Sequence, residues 1–231
     1  TLVHFSEGMG LHAGDGPGAP AAAMVVAHEA AHQWWAHLLT PAAGGGADVL
    51  LEGLAHYSTL LLLEAERGAG ARIAFARHLE ERYTAQRRVD RERPLVALGE
   101  ASHPHDRSAA ENRGAWGFWM LDRHLGREAM LEGLRELIAR YRRGPDHPSL
   151  EDALATLRSR ARDPAGFDRL ADYWFRRTGL PELEARVLRS RPIAPGRHEL
   201  VVEVAGATGL EGLVVAAFGT GGSRSDAPFL A

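Results

Sequence analysis

There is no cysteine among the 231 residues. That excludes a disulfide framework and thiolate metal sites, and leaves histidine and carboxylate as metal ligands. Lysine is also missing: all 27 basic residues are arginine, against 30 acidic ones. With alanine so abundant, we read this as coding bias rather than function. The net charge of −3 is small, and no basic cluster interleaves with stacking aromatics, so nucleic acid is not an expected partner. Long apolar runs are missing too. Leu60-Leu61-Leu62-Leu63 falls far short of the roughly 20 residues of a membrane span, and no signal peptide is visible. This stretch therefore reads as soluble, whatever the location of its parent. Core material is plentiful: 45% hydrophobic residues suffice for one large or two small domains.

Against that background one stretch stands out, His28-Glu29-Ala30-Ala31-His32-Gln33-Trp34-Trp35. H-E-x-x-H puts two histidines on one helix face about a turn apart, with a glutamate beside them to take a proton from water. A helix from Pro20 to about Leu39 would carry it, with Met24, His28, His32, Trp35 and Leu39 on one apolar stripe. Trp34 and Trp35 are expected to pack beneath the site, and His37 to be a solvated or capping histidine.

The rest reads as follows. Leu2–Ser6 is expected to be a short strand that begins in mid-element, as if cut from something longer, and Glu7 to Pro20 a loop. Asp48 would cap a second helix, Val49 to Arg67. A third, Ala71 to Arg88, would turn Ile73, Leu79 and Tyr83 inward. Pro94 to Gly99 looks extended, and Glu100 to Arg107 a polar loop holding His103 and His105. Helices are expected again over Ser108–Leu125, Arg127–Arg142, Ser149–Ser159 and Pro164–Thr178, the last with proline at its first position. Beyond Pro181 come strands, Leu183–Arg189, Arg197–Val204 and Leu213–Phe218. The fold class is thus mainly α, with a helical catalytic domain over 1–180 and a small β segment over 181–231.

Zinc sites in hydrolases commonly take three protein ligands and leave a fourth position for water. Glu52, in an otherwise apolar turn, is the third ligand: a Gly-rich reversal would return it to His28 and His32, where a metal removes the cost of burying its charge. Zinc suits this ligand set best. His56, one turn after Glu52, would make a hydrogen bond behind the ligands or a plain polar contact.

His28-Glu29-Ala30-Ala31-His32-Gln33-Trp34-Trp35 followed by Leu51-Glu52-Gly53-Leu54-Ala55-His56-Tyr57 resembles the gluzincin metallopeptidases of the membrane alanyl/leucyl aminopeptidase family. The Trp34-Trp35-Ala36-His37 continuation and the longer gap before Glu52 look more like the aminopeptidase-like domains associated with bacterial ABC transporter permeases. The resemblance implies a thermolysin-like helical domain hydrolysing peptides, with His28, His32 and Glu52 on Zn2+ and Glu29 as general base. It also implies association with a membrane transporter through regions outside this chain. Two departures follow. The family's motif for the substrate's amino group would lie before Thr1. Its oxyanion-stabilising tyrosine is matched here by Glu111, leaving His103, His105 or Arg113 as substitutes, with Tyr57 and Tyr83 assigned to packing. The alternative is therefore an inactive zinc-bearing module that binds peptide or a transporter partner.

Overall fold

The computed structural model describes residues 19–87, 91–99, 103–179, 183–206 and 212–219. The expected strand at Leu2–Ser6 and most of the loop after it lie outside them. The chain forms two compact units, Thr1–Thr178 and Gly179–Ala231.

In the first unit the described elements are almost all helical. Helix α1 (Ala19–Ala31) leads into a π-helical segment, Gln33–Leu38, and a second π-helical turn, Val49–Gly53, opens onto α2 (Leu54–Arg67). Then come α3 (Ala69–Gln86), a 3-10 turn (Leu95–Ala97), α4 (Pro104–Ser108), a π turn (Ala109–Arg113) and α5 (Gly114–Leu125). α6 (Arg127–Tyr141), α7 (Leu150–Arg158), α8 (Pro164–Ala171) and a last π turn (Asp172–Arg176) complete it.

α2 is the centre. It packs against α1, α3 and α5, and so buries Leu54, Ala55, Tyr57, Thr59, Leu60 and Leu63 around most of its circumference. Each such leucine contributes about 1.5–3 kcal/mol by leaving water. On α3 the inward residues are Phe75, Leu79 and Tyr83, at a spacing of four, while Ile73 is only half-buried. α7 starts where Ser149 accepts from the Asp152 amide and Asp152 reaches back to the Ser149 amide, a closed capping box. Asp163 caps α8 through the Gly166 amide, ahead of Pro164.

Three expectations are corrected. The helix expected from Pro20 to Leu39 is not continuous, because Trp35 (φ −98°, ψ 68°) and Ala36 (φ 159°, ψ −55°) leave helical geometry. Asp48 does not cap: its backbone is already helical and its side chain makes no cap bond. Pro94–Gly99 is not extended but turns through the 3-10 bonds Ala97 N to Pro94 O and Leu98 N to Leu95 O.

The second unit holds an antiparallel meander, β1 (Leu183–Ala194), β2 (Arg197–Gly206) and β3 (Gly212–Gly219), in that order. Gly196, at φ 69°, supplies the left-handed residue of the β1–β2 turn. The register slips between Val187 and Arg189, which leaves Leu188 as a bulge. Pro192 is tolerated because β1 is the outer strand of the described sheet. Among the described residues no helix is long and apolar enough to cross a membrane.

Candidate metal centre

α1 presents His28 and His32 on one face, and the π turn Val49–Gly53 presents Glu52 opposite them. His28 Nε2 lies 3.1 Å from His32 Nε2 and 3.2 Å from Glu52 Oε2, and His32 Nε2 lies 3.6 Å from the same oxygen. Ligand atoms about 2.0–2.1 Å from a tetrahedral zinc would stand roughly 3.3 Å apart, which is the spacing found. Three lone-pair-bearing atoms thus point at one half-buried spot that a cation would neutralise. The set fits zinc.

The electrostatics agree. Burial works against ionising Glu52, but hydrogen bonds from His28 and His32 outweigh it and hold the carboxyl well below the usual range. The hydrogen bond with Glu52 raises His32 above the ordinary histidine value. His32 Nδ1–H donates to the Trp35 carbonyl at 3.0 Å, which leaves Nε2 as the metal-facing nitrogen. A metal must displace the proton from Nε2. Zinc affinity is therefore expected to fall by up to tenfold per pH unit below the raised His32 value and to level off above it. In metal-free protein the His32–Glu52 pair acts in the opposite sense. Its stabilisation is complete below the ordinary histidine value and is lost as pH rises through the raised one. Zinc titrations and thermal melts across that range check both signs.

Behind the ligands, His56 lies edge-on to His28, with ring centroids 4.3 Å apart and planes at 84°. Burial, then the neighbouring His28, drives its pKa down to about 3, so it is a neutral ring. No hydrogen bond to a ligand is recorded; the contact is ring packing. Trp35 is buried and its indole N–H donates to Ser58 Oγ at 2.8 Å. Trp34, expected to pack beside it, is instead 50% exposed, because the break at Trp35–Ala36 rotates the two rings apart.

Glu29, His32 and Glu52 share the lining of a cleft of about 300 Å³ with Gln33, Leu51 and His37. His37, expected to be solvated or capping, is exposed but belongs to this wall. Helix periodicity could not show it, because the break re-aims it. Ala36, beside it, holds a conformation that L residues rarely adopt. Ala36→Gly is expected to raise stability by about 1 kcal/mol, since relief of about 1–3 kcal/mol of strain exceeds the added freedom of the unfolded chain. Urea denaturation reads it, and an unchanged midpoint would mean the turn is unstrained.

Glu111 sits on the π turn Ala109–Arg113, its side chain mostly buried, with Arg82 Nη2 3.5 Å and Arg107 Nε 3.9 Å from its carboxylate. Burial and then the charge of Glu52 push its carboxyl above the ordinary value, while Arg82, Arg107 and His28 pull it down. Its turn packs directly on that of Glu52. A Cβ at Gly53 would meet the Ala110 carbonyl oxygen at 3.1 Å and Gly114 Cα at 3.3 Å.

The other expected donors are engaged elsewhere. Arg113, 2% exposed, pairs with Glu92 at 2.8 Å and donates to the carbonyls of Tyr173 and Arg177. Tyr83, pushed up to about 12 by burial and by Glu92, donates its hydroxyl to Glu92. Tyr57 is buried in the core, and burial raises its pKa further. His103 and His105 stack on each other at 5.2 Å.

Comparison with protein-family models gave no match, and neither did comparison with the sequences of curated proteins. Solved structures do match. An M1 zinc metallopeptidase of Deinococcus radiodurans, a substituted form bound to a Tyr-Ser-Ala substrate, is 26% identical with a TM-score of 0.55, over 68% of this chain and 34% of that one. The same organism's M1 zinc metallopeptidase without that substitution is 26% identical with a TM-score of 0.53, over 66% and 32% of the two chains. A two-domain M1 zinc metallopeptidase bound to L-tryptophan, 24% identical with a TM-score of 0.56, matches over 69% and 34%. The chain thus spans about a third of the length of these proteins. The fold that carries His28, His32 and Glu52 is one this chain shares with M1 zinc metallopeptidases.

Proposed function

We propose that this chain is the zinc-binding core of a peptidase of the aminopeptidase-like kind, hydrolysing short peptides with an activated water. The observation that carries the reading is the convergence of His28 Nε2, His32 Nε2 and Glu52 Oε2 beside a cleft that Glu29 also lines. Zinc held there would supply Lewis acidity, drawing the pKa of a water towards about 7 and polarising the scissile carbonyl. Glu29 takes the proton as the water oxygen bonds to the carbonyl carbon, and passes it to the amine as the C–N bond breaks. His32 is held for its part by the Trp35 carbonyl, and Glu52 by its packed turn. That structures sharing the fold hold a tripeptide or a single amino acid supports short peptides as the substrate class. Association with a membrane transporter through regions outside this chain is a further part of the proposal, resting on the Trp34-Trp35-Ala36-His37 continuation.

A second reading, a zinc-bearing module that binds peptide without cutting it, is favoured by Glu111. A carboxylate stands where a donor to the oxyanion is wanted, and losing such a donor costs about a hundredfold or more in rate. Metal analysis with a peptide-library cleavage assay separates the two. One bound zinc with cleavage that chelation abolishes and zinc restores supports the peptidase; bound zinc without cleavage supports the module.

A further inference from the structure

The break at Trp35–Ala36 has a specific result for the cleft. In an unbroken α-helix His37 would point roughly 180° away from His28 and roughly 140° from His32. The structure instead sets His37 in the same wall as His32, Glu52 and Glu29. Gln33, four residues after Glu29, would face the cleft on a straight helix and needs no break to do so.

The break is held from several sides. The Trp35 carbonyl accepts from His32 Nδ1–H at 3.0 Å, and the Ala36 carbonyl accepts from Thr40 Oγ1 at 2.7 Å. Two wide bonds, His37 N–H to the His32 carbonyl (3.2 Å) and Leu39 N–H to the Trp34 carbonyl (2.9 Å), span it. Strained backbone that its surroundings over-determine concentrates where a side chain must be aimed. Here the aimed side chain is an imidazole, and the peptide that holds its turn in place also orients a metal ligand.

We propose that His37 is a catalytic residue of the peptidase reaction, donating a hydrogen bond to the carbonyl oxygen as negative charge develops on it. The inference rests on the peptidase reading. Of the polar groups in the cleft wall, Glu29 is the base, and His32 and Glu52 face the metal. Glu111, on its own turn, is engaged by Arg82 and Arg107. That leaves Gln33 and His37 as donors in the wall, and only His37 owes its place there to the break. Its proton stays on the ring; the proton that moves is the one Glu29 carries.

The test uses zinc-loaded wild type, His37→Ala and His37→Gln, reading kcat, KM, zinc content and affinity for a phosphinic peptide, whose tetrahedral phosphorus mimics the charged intermediate. In His37→Ala, kcat is expected to fall about 100-fold with KM within about threefold and zinc retained. Affinity for the phosphinic peptide falls by a similar factor, and His37→Gln, which keeps a donor, recovers about tenfold of both. A kcat for His37→Ala within about threefold of wild type, a loss confined to KM, or loss of zinc from both variants overturns the assignment. If wild type cleaves no peptide, the peptidase reading fails by itself. Phosphinic-peptide binding then decides His37 separately: a loss in His37→Ala sustains it as the oxyanion donor, and equal affinity removes it.

Discussion

Glu29→Gln keeps its zinc and loses hydrolysis. On short peptides its kcat is expected to fall by about 10²–10⁴-fold, at the zinc content of wild type. The two halves of that result have different causes. Zinc is retained because the converging atoms belong to His28, His32 and Glu52, and Glu29 lines the cleft beside them. Turnover is lost because the amide that replaces the carboxylate has the same shape but cannot accept the water's proton and carry it to the leaving amine. Glu52→Gln is the counterpart. It weakens a ligand, so zinc and activity should leave together. If Glu29→Gln cleaved peptide as wild type does, the proton would have to travel by another group. If it lost zinc, Glu29 would have to be moved into the ligand set.

Arg113→Met is expected to destabilise the helical unit by about 3–5 kcal/mol, a drop in Tm on the order of 10 °C. Arg113 has almost no exposure, so its charge is balanced by Glu92, itself deeply buried and also held by Arg87. The same guanidinium donates to the carbonyls of Tyr173 and Arg177, at the end of the last π turn. Methionine fills much of the volume but leaves Glu92 short of a partner and two carbonyls without a donor. Neutralising the pair together, with Glu92→Gln added, should recover part of the loss, because no buried charge is then stranded. A thermal melt of the three proteins decides the point. A single variant as stable as wild type would make the clasp dispensable.

Much of this was legible in the residues. His28-Glu29-x-x-His32 and the lone carboxylate Glu52 announce a shared site because burying such groups on apolar faces demands compensation. Ser149 and Asp163-Pro164 announce helix starts because capping is local chemistry. What was not legible comes from the π turns. An extra residue per turn hardly disturbs an apolar pattern, yet it rotates everything beyond it. Trp34 and Trp35 therefore look alike in sequence, although one is buried and the other exposed. His37 is hidden for the same reason. Arg113 resembles any surface arginine until Glu92, 21 residues earlier in the chain, is seen beside it.

The contact between Gly53 and Gly114 bears on how the centre can be redesigned. Backbone rests on backbone there, so the offset between the turns of Glu52 and Glu111 cannot be tuned by choosing a different side chain at the contact. The rigid joint and the adjustable wall are separate parts of the molecule. Engineering for a different peptide should leave the two glycines alone and vary Leu51 and Gln33, which line the cleft without touching that joint.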